Sequence, residues 1–137
     1  LQKYRERMEL AMEAGGYGVW DLNLDTGEAY FSPTNLRMLG YEPDELSPSY
    51  ETFLELLHPG DRQEVIPLIE RYMELAEPFS ASFRLRCRDG GYRWINSRGR
   101  SYDLDEEGKP HRLVGIHVAI DAMDARPNVY ATEQQLR

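Results

Sequence analysis

The first fifteen residues carry apolar side chains at the spacing of an amphipathic helix. Apolar positions lie three or four residues apart, while charged residues such as Arg5 and Glu9 occupy other faces. Gly15 and Gly16 then end the helix. The apolar stripe predicts either packing on the chain's own domain or a coiled-coil contact with a second chain. Its members are Leu1, Tyr4, Met8 and Ala11.

From position 18 to position 24 apolar and polar residues alternate with a period of two. Trp20 and Leu22 share one face, and Asp21 lies on the other, which predicts a half-buried strand. Residues 25–27 (Asp-Thr-Gly) form a turn signal, and residues 28–31 predict a short return strand. The two strands are expected to pair as a hairpin.

Short helical signals follow. Ser32 before Pro33 predicts a helix start, because serine caps a helix and proline is tolerated at its first position. Residues 42–46 predict another brief helical turn, and Ser47 or Ser49 can cap the next helix.

A longer helix is predicted after the His58-Pro59 turn. Asp61, with a glutamate three residues later, has the form of a capping box, so Asp61 is the predicted N-cap. Pro67 lies within the helical pattern and is expected to bend the helix or delay its start. His58 is interpreted as part of a structural turn rather than as an acid–base group, because no catalytic partner is evident.

The period changes back to two at Phe79. Two strands are predicted around a glycine-rich loop, followed by a third strand over 110–120 in which Val114 and Ile116 share the inward face. The order is helix, two strands, short helices and a three-stranded meander. This order predicts an α+β fold.

The loop length decides which face of the sheet carries Trp94. A two-residue loop would pair Leu85 with Trp94 and would bury Arg98 and Arg100. A three-residue loop at 89–91 instead pairs Arg86 with Trp94. Because burying unpaired arginines is costly, the second register is favoured, and it places Trp94 on the outer face of the sheet.

Composition narrows the possible classes of protein. The net charge is −8, which disfavours binding to nucleic acid phosphates. No apolar run reaches the length of a membrane helix, so no membrane contact is expected of this fragment. The single cysteine, Cys87, excludes an internal disulfide and fits a cytoplasmic location. A start at Leu1 rather than methionine suggests a piece of a longer protein.

Several motifs, in this order and spacing, resemble the PAS (Per-Arnt-Sim) family with a PAC-type second half. They are GVWDL (18–22), TG (26–27), MLGY (38–41), HPGDR (58–62), FR (83–84) with DGGYRWI (89–95), and GKP (108–110) leading to Gly115. The resemblance implies a five-stranded antiparallel sheet in the order 2-1-5-4-3, with short helices on one face, an N-terminal flanking helix and a small-molecule pocket.

The same resemblance implies a non-enzymatic sensory module of a larger signalling protein. Such modules relay signals to histidine kinases, cyclic-dinucleotide enzymes or similar output domains, and commonly dimerise through a flanking helix. Family members typically end in Asp-Ile-Thr, where this chain reads Asp121-Ala122-Met123 and lacks the threonine hydroxyl. The division expected is 1–16 as flanking helix, 17–121 as PAS core and 122–137 as linker toward a downstream signalling domain. A further helix is predicted to begin near Thr132.

Apolar parity, together with the fold that the resemblance implies, predicts a ligand pocket between the sheet and the helices. A filled core without a cavity is the alternative. The candidate pocket residues are Trp20, Leu22, Met38, Phe53, Leu57, Ile66, Ile69, Tyr72, Met73, Phe83, Leu85, Val114 and Ile116.

No cofactor is required by the sequence. Haem is disfavoured because no histidine lies between residues 62 and 76, and His117 faces outward if Val114 and Ile116 face inward. Flavin photochemistry of the light-oxygen-voltage type is rejected because Cys87 lies on a strand. A cofactor-bound redox or gas sensor and, more remotely, a small cavity enzyme that uses Asp21 are the alternatives.

Dimerisation is the expected association. A large aromatic residue on an outer sheet face needs a cover, which the N-terminal helix or a partner subunit can provide. A homodimer is therefore predicted through the N-terminal helix and the outer face, with candidate interface residues Leu1, Tyr4, Met8, Ala11 and Trp94.

Overall fold

The computed structural model describes residues 2–125 and residue 128. Leu1 and the helix predicted near Thr132 lie outside the described residues. The helices are α1 (Gln2–Ala14), α2 (Pro33–Arg37), α3 (Tyr50–Leu56) and α4 (Pro59–Tyr72), followed near the end by a short 3₁₀ helix (Ala122–Asp124). The strands are β1 (Gly18–Asn23), β2 (Ala29–Phe31), β3 (Phe79–Arg86), β4 (Tyr92–Leu104) and β5 (Pro110–Ala119).

The strands form one five-stranded sheet in the order β2-β1-β5-β4-β3, with antiparallel pairing between all neighbours. Both the α+β class and the strand order are therefore confirmed. The buried side chains of α3, α4 and the residues just before and after them pack on one face of this sheet, here called the inner face. The opposite face is called the outer face.

Two predicted serine caps are present. The Ser32 hydroxyl accepts a hydrogen bond from the Asn35 backbone N–H at 3.3 Å, and Pro33 takes the first helical position of α2. The Ser49 hydroxyl accepts from the Thr52 backbone N–H at 3.0 Å at the start of α3. These local contacts position the two short helices that lie against β1 and the core.

The start of α4 differs from the prediction. The helix begins at Pro59, and its N-cap is His58, whose Nδ1 accepts from the Gly60 backbone N–H at 2.8 Å. Asp61 lies inside the first turn and is not the cap, because its carboxylate binds Arg84 on β3 instead. The helix starts earlier than predicted and continues through Pro67.

The β3–β4 turn also differs in position. Arg86 pairs with Tyr92 and Arg84 with Trp94, two residues away from the predicted register. The Cys87 backbone N–H donates to the Gly91 carbonyl at 2.7 Å, so residues 88–90 form the turn, and the left-handed glycine is Gly90 (φ 95°). A shift by two residues preserves the face of every side chain, so Trp94 lies on the outer face as predicted.

The inward face of β5 was predicted wrongly. Val114 and Ile116 lie opposite the exposed Arg100 and Arg98, on the outer face. The inward positions of β5 include Leu113, Gly115 and His117, which pair with Leu22, Trp20 and Gly18 of β1. The reason is the size of the Trp20 side chain: a Cβ atom on Gly115 would lie 2.5 Å from the Trp20 ring, and one on the paired Gly99 would lie 2.7 Å from it. The indole therefore needs the two glycines beneath it.

Candidate functional site

A cavity of about 50 Å³ lies between the inner face and the helices. This volume is about one third of an engineered apolar cavity that binds benzene, so the space suits a very small molecule. Its walls are mainly aromatic and aliphatic side chains. The lining residues are Trp20, Asp21, Leu22, Ala29, Phe31, Tyr50, Phe53, Ile69, Tyr72, Phe79, Phe83, Ser97, Leu113 and His117.

The structure brings six of the predicted pocket residues to the cavity wall: Trp20, Leu22, Phe53, Ile69, Tyr72 and Phe83. Five others pack within or against the same core without lining the cavity, namely Met38, Leu57, Ile66, Met73 and Leu85. Val114 and Ile116 are separated from the cavity by the sheet itself. Whether a ligand binds at the cavity stays a prediction.

Several lining residues were not predicted, among them the polar residues His117, Ser97 and Tyr50. His117 was missed because the face of β5 was assigned from its apolar series, and Ser97 was missed because a small polar residue gives no apolar signal on β4. The residue that could have predicted the face of His117 is Trp20. A large inward-facing indole requires a glycine beside it on the neighbouring strand, and because Gly115 fills that inward position, His117, two residues later, also faces inward.

His117 is a buried neutral imidazole. Its side chain is only 5% exposed, and burial lowers its pKa to about 3. The Asn35 amide nitrogen donates to the Val19 carbonyl at 3.3 Å, so the Asn35 oxygen is left to accept from His117 Nδ1 at 3.2 Å. The ring also lies 6.0 Å from Trp20 and 5.9 Å from Phe83 between centroids. The imidazole is thus held in one tautomer against the aromatic wall.

Two cavity-lining residues carry buried polar atoms that have no hydrogen-bond partner among the described residues. These atoms are the indole nitrogen of Trp20 and the hydroxyl of Tyr50. Burial, with a smaller effect from Glu70, raises the pKa of Tyr50 to about 12, so the hydroxyl stays protonated. Buried polar atoms are usually satisfied by protein or water, and each exception needs an explanation.

Asp21 does not act as a cavity acid. Its carboxylate accepts a hydrogen bond from Arg112 Nη2 at 3.0 Å and from the Tyr102 hydroxyl at 3.0 Å. Those partners lie across β5 and β4 from Asp21, in a network that occupies the carboxylate. The Asp21 carboxylate, which the enzyme alternative requires as an acid or base, is therefore occupied by these two partners.

The cavity also does not fit a haem or a flavin. A space of about 50 Å³ holds the volume of one or two water molecules, far less than either ring system. His117 does face the cavity, contrary to the prediction, and its Nδ1 is bound to Asn35. Cys87 follows the end of β3 and packs half-buried at the edge of the core, and burial raises the pKa of its thiol. Among the described residues, no cluster of three or more His, Cys, Asp or Glu side chains could hold a metal ion.

A second, open depression of about 760 Å³ lies at the β3–β4 turn. Its arginines already have partners: Arg93 Nη1 donates to the Met38 carbonyl at 2.7 Å, and Arg88 Nε lies 2.8 Å from the Glu45 carboxylate. Met38, a predicted pocket residue, lines this surface rather than the cavity. The depression is polar and solvent-exposed.

Of the described residues predicted for association, Trp94 lies on the outer face, and Tyr4, Met8 and Ala11 lie on α1. The Arg84 guanidinium lies 5.1 Å from the Trp94 ring centroid and partly covers it. On α1, Tyr4 is 68% exposed, Met8 is 44% exposed and Ala11 is also exposed. The apolar stripe of α1 is therefore not buried on its own domain. No helix in the described part of the chain is long and apolar enough to cross a membrane.

Comparison with known proteins agrees with this geometry. A family model described as PAS fold matches residues 28–117. A sensory box histidine kinase/response regulator from Burkholderia thailandensis shares 32% identity, with a TM-score of 0.72 over 95% of this chain and 92% of that one. The N-terminal domain of a diguanylate cyclase with a PAS/PAC sensor from Marinobacter aquaeolei shares 25% identity, with a TM-score of 0.68 over 75% of this chain and 94% of that one.

Curated relatives include sensor protein FixL from Bradyrhizobium diazoefficiens, at 35% identity over 116 residues, and the probable diguanylate cyclase DgcE from Escherichia coli, at 33% over 118 residues. Each alignment covers 85% of this chain, which spans only 23% of the first relative and 10% of the second. The sheet with its helical cover, taken together with these matches, defines the class of protein as a sensory module. The chain belongs to the PAS fold family, and it is a sensory and regulatory domain without catalytic activity of its own.

Proposed function

We propose that the cavity is the sensing site and that its ligand is small, largely apolar and able to accept a hydrogen bond. The observation that carries the proposal is the pair of unpartnered donors, Trp20 Nε1 and the Tyr50 hydroxyl, on residues that line an otherwise apolar cavity. A ligand that binds one arrangement of the walls more tightly shifts the population toward it. The alternative is a domain whose core only relays a signal between flanking segments.

Two measurements test this proposal. Native mass spectrometry of the purified chain detects any molecule that co-purifies with it. Xenon added under pressure then tests whether the cavity accepts a small apolar guest, because apolar cavities bind xenon. Xenon is expected to shift the NMR signals of Phe79, Phe83 and Leu113, which line the cavity.

A filled cavity is the matched control. In Ala29→Leu the larger side chain enters the cavity, so the xenon shifts should disappear. Ala76→Leu adds the same atoms at an exposed position and should keep the shifts. If the unsubstituted chain shows no bound mass and no xenon response, the cavity is a packing defect and the relay alternative is favoured.

The same proposal includes a homodimer through α1 and the outer face. Its support is the exposed stripe of Tyr4, Met8 and Ala11 together with the half-covered Trp94. Leu1 belongs to the proposed interface by its position in the sequence pattern. Exposed apolar residues arranged in a stripe favour helix pairing over isolated exposure.

The proposed context is a cytoplasmic signalling protein. We place the flanking helix at 1–16, the sensory core at 17–121 and a linker at 122–137 that leads to an output domain, such as a histidine kinase or a diguanylate cyclase. The relatives named as sensors and cyclases support this context, as does a half-buried free thiol at Cys87. A net charge of −8 supports protein or small-molecule partners over nucleic acid. Deleting 17–121 from the longer protein should remove regulation but not the output activity.

A further inference from the structure

The fold fixes which nitrogen of the His117 ring carries the proton. The Val19 carbonyl accepts from the Asn35 amide nitrogen at 3.3 Å and from the Ser32 backbone N–H at 2.9 Å. Because a carbonyl only accepts, the Asn35 nitrogen must face it, and the Asn35 oxygen then faces His117 Nδ1 at 3.2 Å. Nδ1 therefore carries the ring proton, and Nε2 keeps an unshared electron pair that can only accept.

This acceptor belongs to the wall of the cavity. His117 is buried on the inner face and lines the cavity with Trp20 and Phe83. Among the described residues, its hydrogen bond is made through Nδ1. Nε2 is the ring nitrogen farther from the backbone, so it extends toward the interior. Burial keeps the pKa of the ring at about 3, so Nε2 remains an acceptor at neutral pH.

The remaining polar groups of the wall are mostly donors without a charge. Trp20 Nε1 and the Tyr50 hydroxyl are buried and have no hydrogen-bond partner among the described residues. Asp21 also reaches the wall, but its carboxylate is bound to Arg112 and Tyr102. An ion in the cavity would lose its hydration without gaining a counter-charge, which costs far more than the same transfer of a neutral molecule. The wall therefore favours a neutral guest that can both donate and accept.

We propose that the ligand of the cavity is a short neutral alcohol, whose O–H donates to His117 Nε2 and whose oxygen accepts from Trp20 Nε1 or from the Tyr50 hydroxyl. A hydroxyl is the smallest organic group that supplies both functions. The cavity has about one third of the volume of an engineered cavity that binds benzene, which leaves room for roughly two or three non-hydrogen atoms. Methanol and ethanol have this size. The assignment rests on the proposed function, in which this cavity is the sensing site.

Three guests of nearly equal size test the assignment on the full chain by NMR titration. Ethanol donates and accepts, its isomer dimethyl ether only accepts, and propane does neither. Ethanol should bind roughly two- to tenfold more tightly than dimethyl ether, because it alone supplies a donor to Nε2. The nitrogen NMR signal of His117 Nε2 should report a hydrogen-bonded acceptor with ethanol bound and a free electron pair with dimethyl ether bound.

Two variants locate the acceptor. In His117→Leu the acceptor is lost, so ethanol should bind more weakly than dimethyl ether, because its O–H then enters the cavity without a partner. Ser97→Ala is the matched control, since Ser97 lines the same cavity and pairs directly with His117 across β4 and β5. It removes the neighbouring hydroxyl and should keep the preference for ethanol. If His117→Leu does not fold, the order of the three guests in the unsubstituted chain still decides.

Equal binding of ethanol and dimethyl ether to the unsubstituted chain overturns the assignment. A preference for ethanol that survives in His117→Leu, or that disappears in Ser97→Ala, also overturns it, because the acceptor is then not His117. In each of these cases propane or xenon binding still supports the cavity as the sensing site. If none of the guests binds, both the alcohol assignment and the proposed function fail.

Discussion

At the scale of single residues, Gly115 and Gly99 provide the surface on which the Trp20 indole lies. The two glycines pair across β5 and β4, and Trp20 pairs with Gly115 from β1. A Cβ atom at Gly115 would also lie 2.1 Å from the Arg98 carbonyl oxygen, which is backbone and cannot move aside. The absence of a side chain is therefore a packing requirement here, and it determines the position of an entire cavity wall.

Gly115→Ala should destabilise the domain by about 1–3 kcal/mol or more, as overpacked cores do. Urea denaturation gives the change in the free energy of unfolding. Gly91→Ala is the control, because Gly91 is exposed and its added Cβ would meet only the Asp89 side chain, at 3.3 Å. Similar losses of stability in both variants would show that the contact between Gly115 and the Trp20 indole is not the cause.

His117 should make the domain less stable in acid. Its folded-state pKa, about 3, lies below the ordinary value of 6.5, so below pH 6.5 the unfolded chain takes up a proton that the folded chain does not. Stability should then fall by up to about 1.4 kcal/mol for each pH unit between 6.5 and the folded pKa. Denaturant melts from pH 7 to pH 4 should show a smaller loss in His117→Gln than in the unsubstituted chain.

His111 provides the control of opposite sign. The hydrogen bond and charge of Asp25 raise the pKa of this exposed histidine, so its protonation favours the folded state below pH 6.5. His111→Gln should therefore lose at least as much stability in acid as the unsubstituted chain. If His117→Gln follows the same pH profile as the unsubstituted chain, His117 does not remain neutral in the folded domain.

At the scale of elements, α4 is joined to β3 by the Asp61–Arg84 pair. Asp61 accepts from the Arg84 backbone N–H, from Nε at 3.1 Å and from Nη2 at 2.7 Å. Burial acts to raise the pKa of Asp61, but the hydrogen bonds and charge of Arg84 outweigh it and lower that pKa. The same guanidinium lies over Trp94. One arginine thus connects a helix start, a sheet edge and the outer face.

Asp61→Asn should cost about 2 kcal/mol at pH 7, in the range of hydrogen bonds to charged groups. The group's lowered pKa means that its stabilisation is present above the ordinary pKa of 3.8 and is lost as the pH falls through the lower folded value. The difference between the variant and the unsubstituted chain should therefore shrink in strong acid. Asp44→Asn, at an exposed position, should change the melting curve little.

At the scale of the whole molecule, two apolar regions remain uncovered in one copy of the chain. The stripe of α1 is exposed, and Trp94 on the outer face is covered only in part. Both lie outside the core that the helices and the inner face enclose. A second copy of the chain that buries both regions would contact α1 and the outer face of the sheet at once. Dimerisation would then be coupled to the sheet whose inner face forms the cavity wall.

Met8→Glu should weaken a dimer through α1, because it replaces about 1.5–3 kcal/mol of apolar burial with a charge. The dissociation constant from sedimentation equilibrium should rise at least about tenfold. Leu10→Glu is the control, since Leu10 is 64% exposed but lies off the stripe. A chain that is monomeric at high concentration, or equal effects in both variants, would contradict the proposed interface.

The sequence by itself determined the elements, their order and the family. Periods of two and 3.6 residues are local properties, and so are serine caps and glycine turns, which is why the hairpins, α2 and α3 were predictable. The motifs that resemble the PAS family also implied the order of the strands. Six of the cavity residues were predicted from the alternation of apolar positions together with that fold. The sequence predicted that Trp94 faces outward because the other register would bury Arg98 and Arg100. The predicted face was right although the register was not, since a two-residue shift of register changes no face.

The tertiary structure decided which face of β5 is buried, where α4 begins and what closes the β3 edge. The apolar series of Val114 and Ile116 suggested the wrong face, since the face depends on the indole of a neighbouring strand and not on β5 itself. Asp61 does not cap α4 but binds Arg84, 23 residues away in the sequence, and Asn128 binds Ser82, 46 residues away. Such partners are chosen by distance in space, and only the folded chain brings them together.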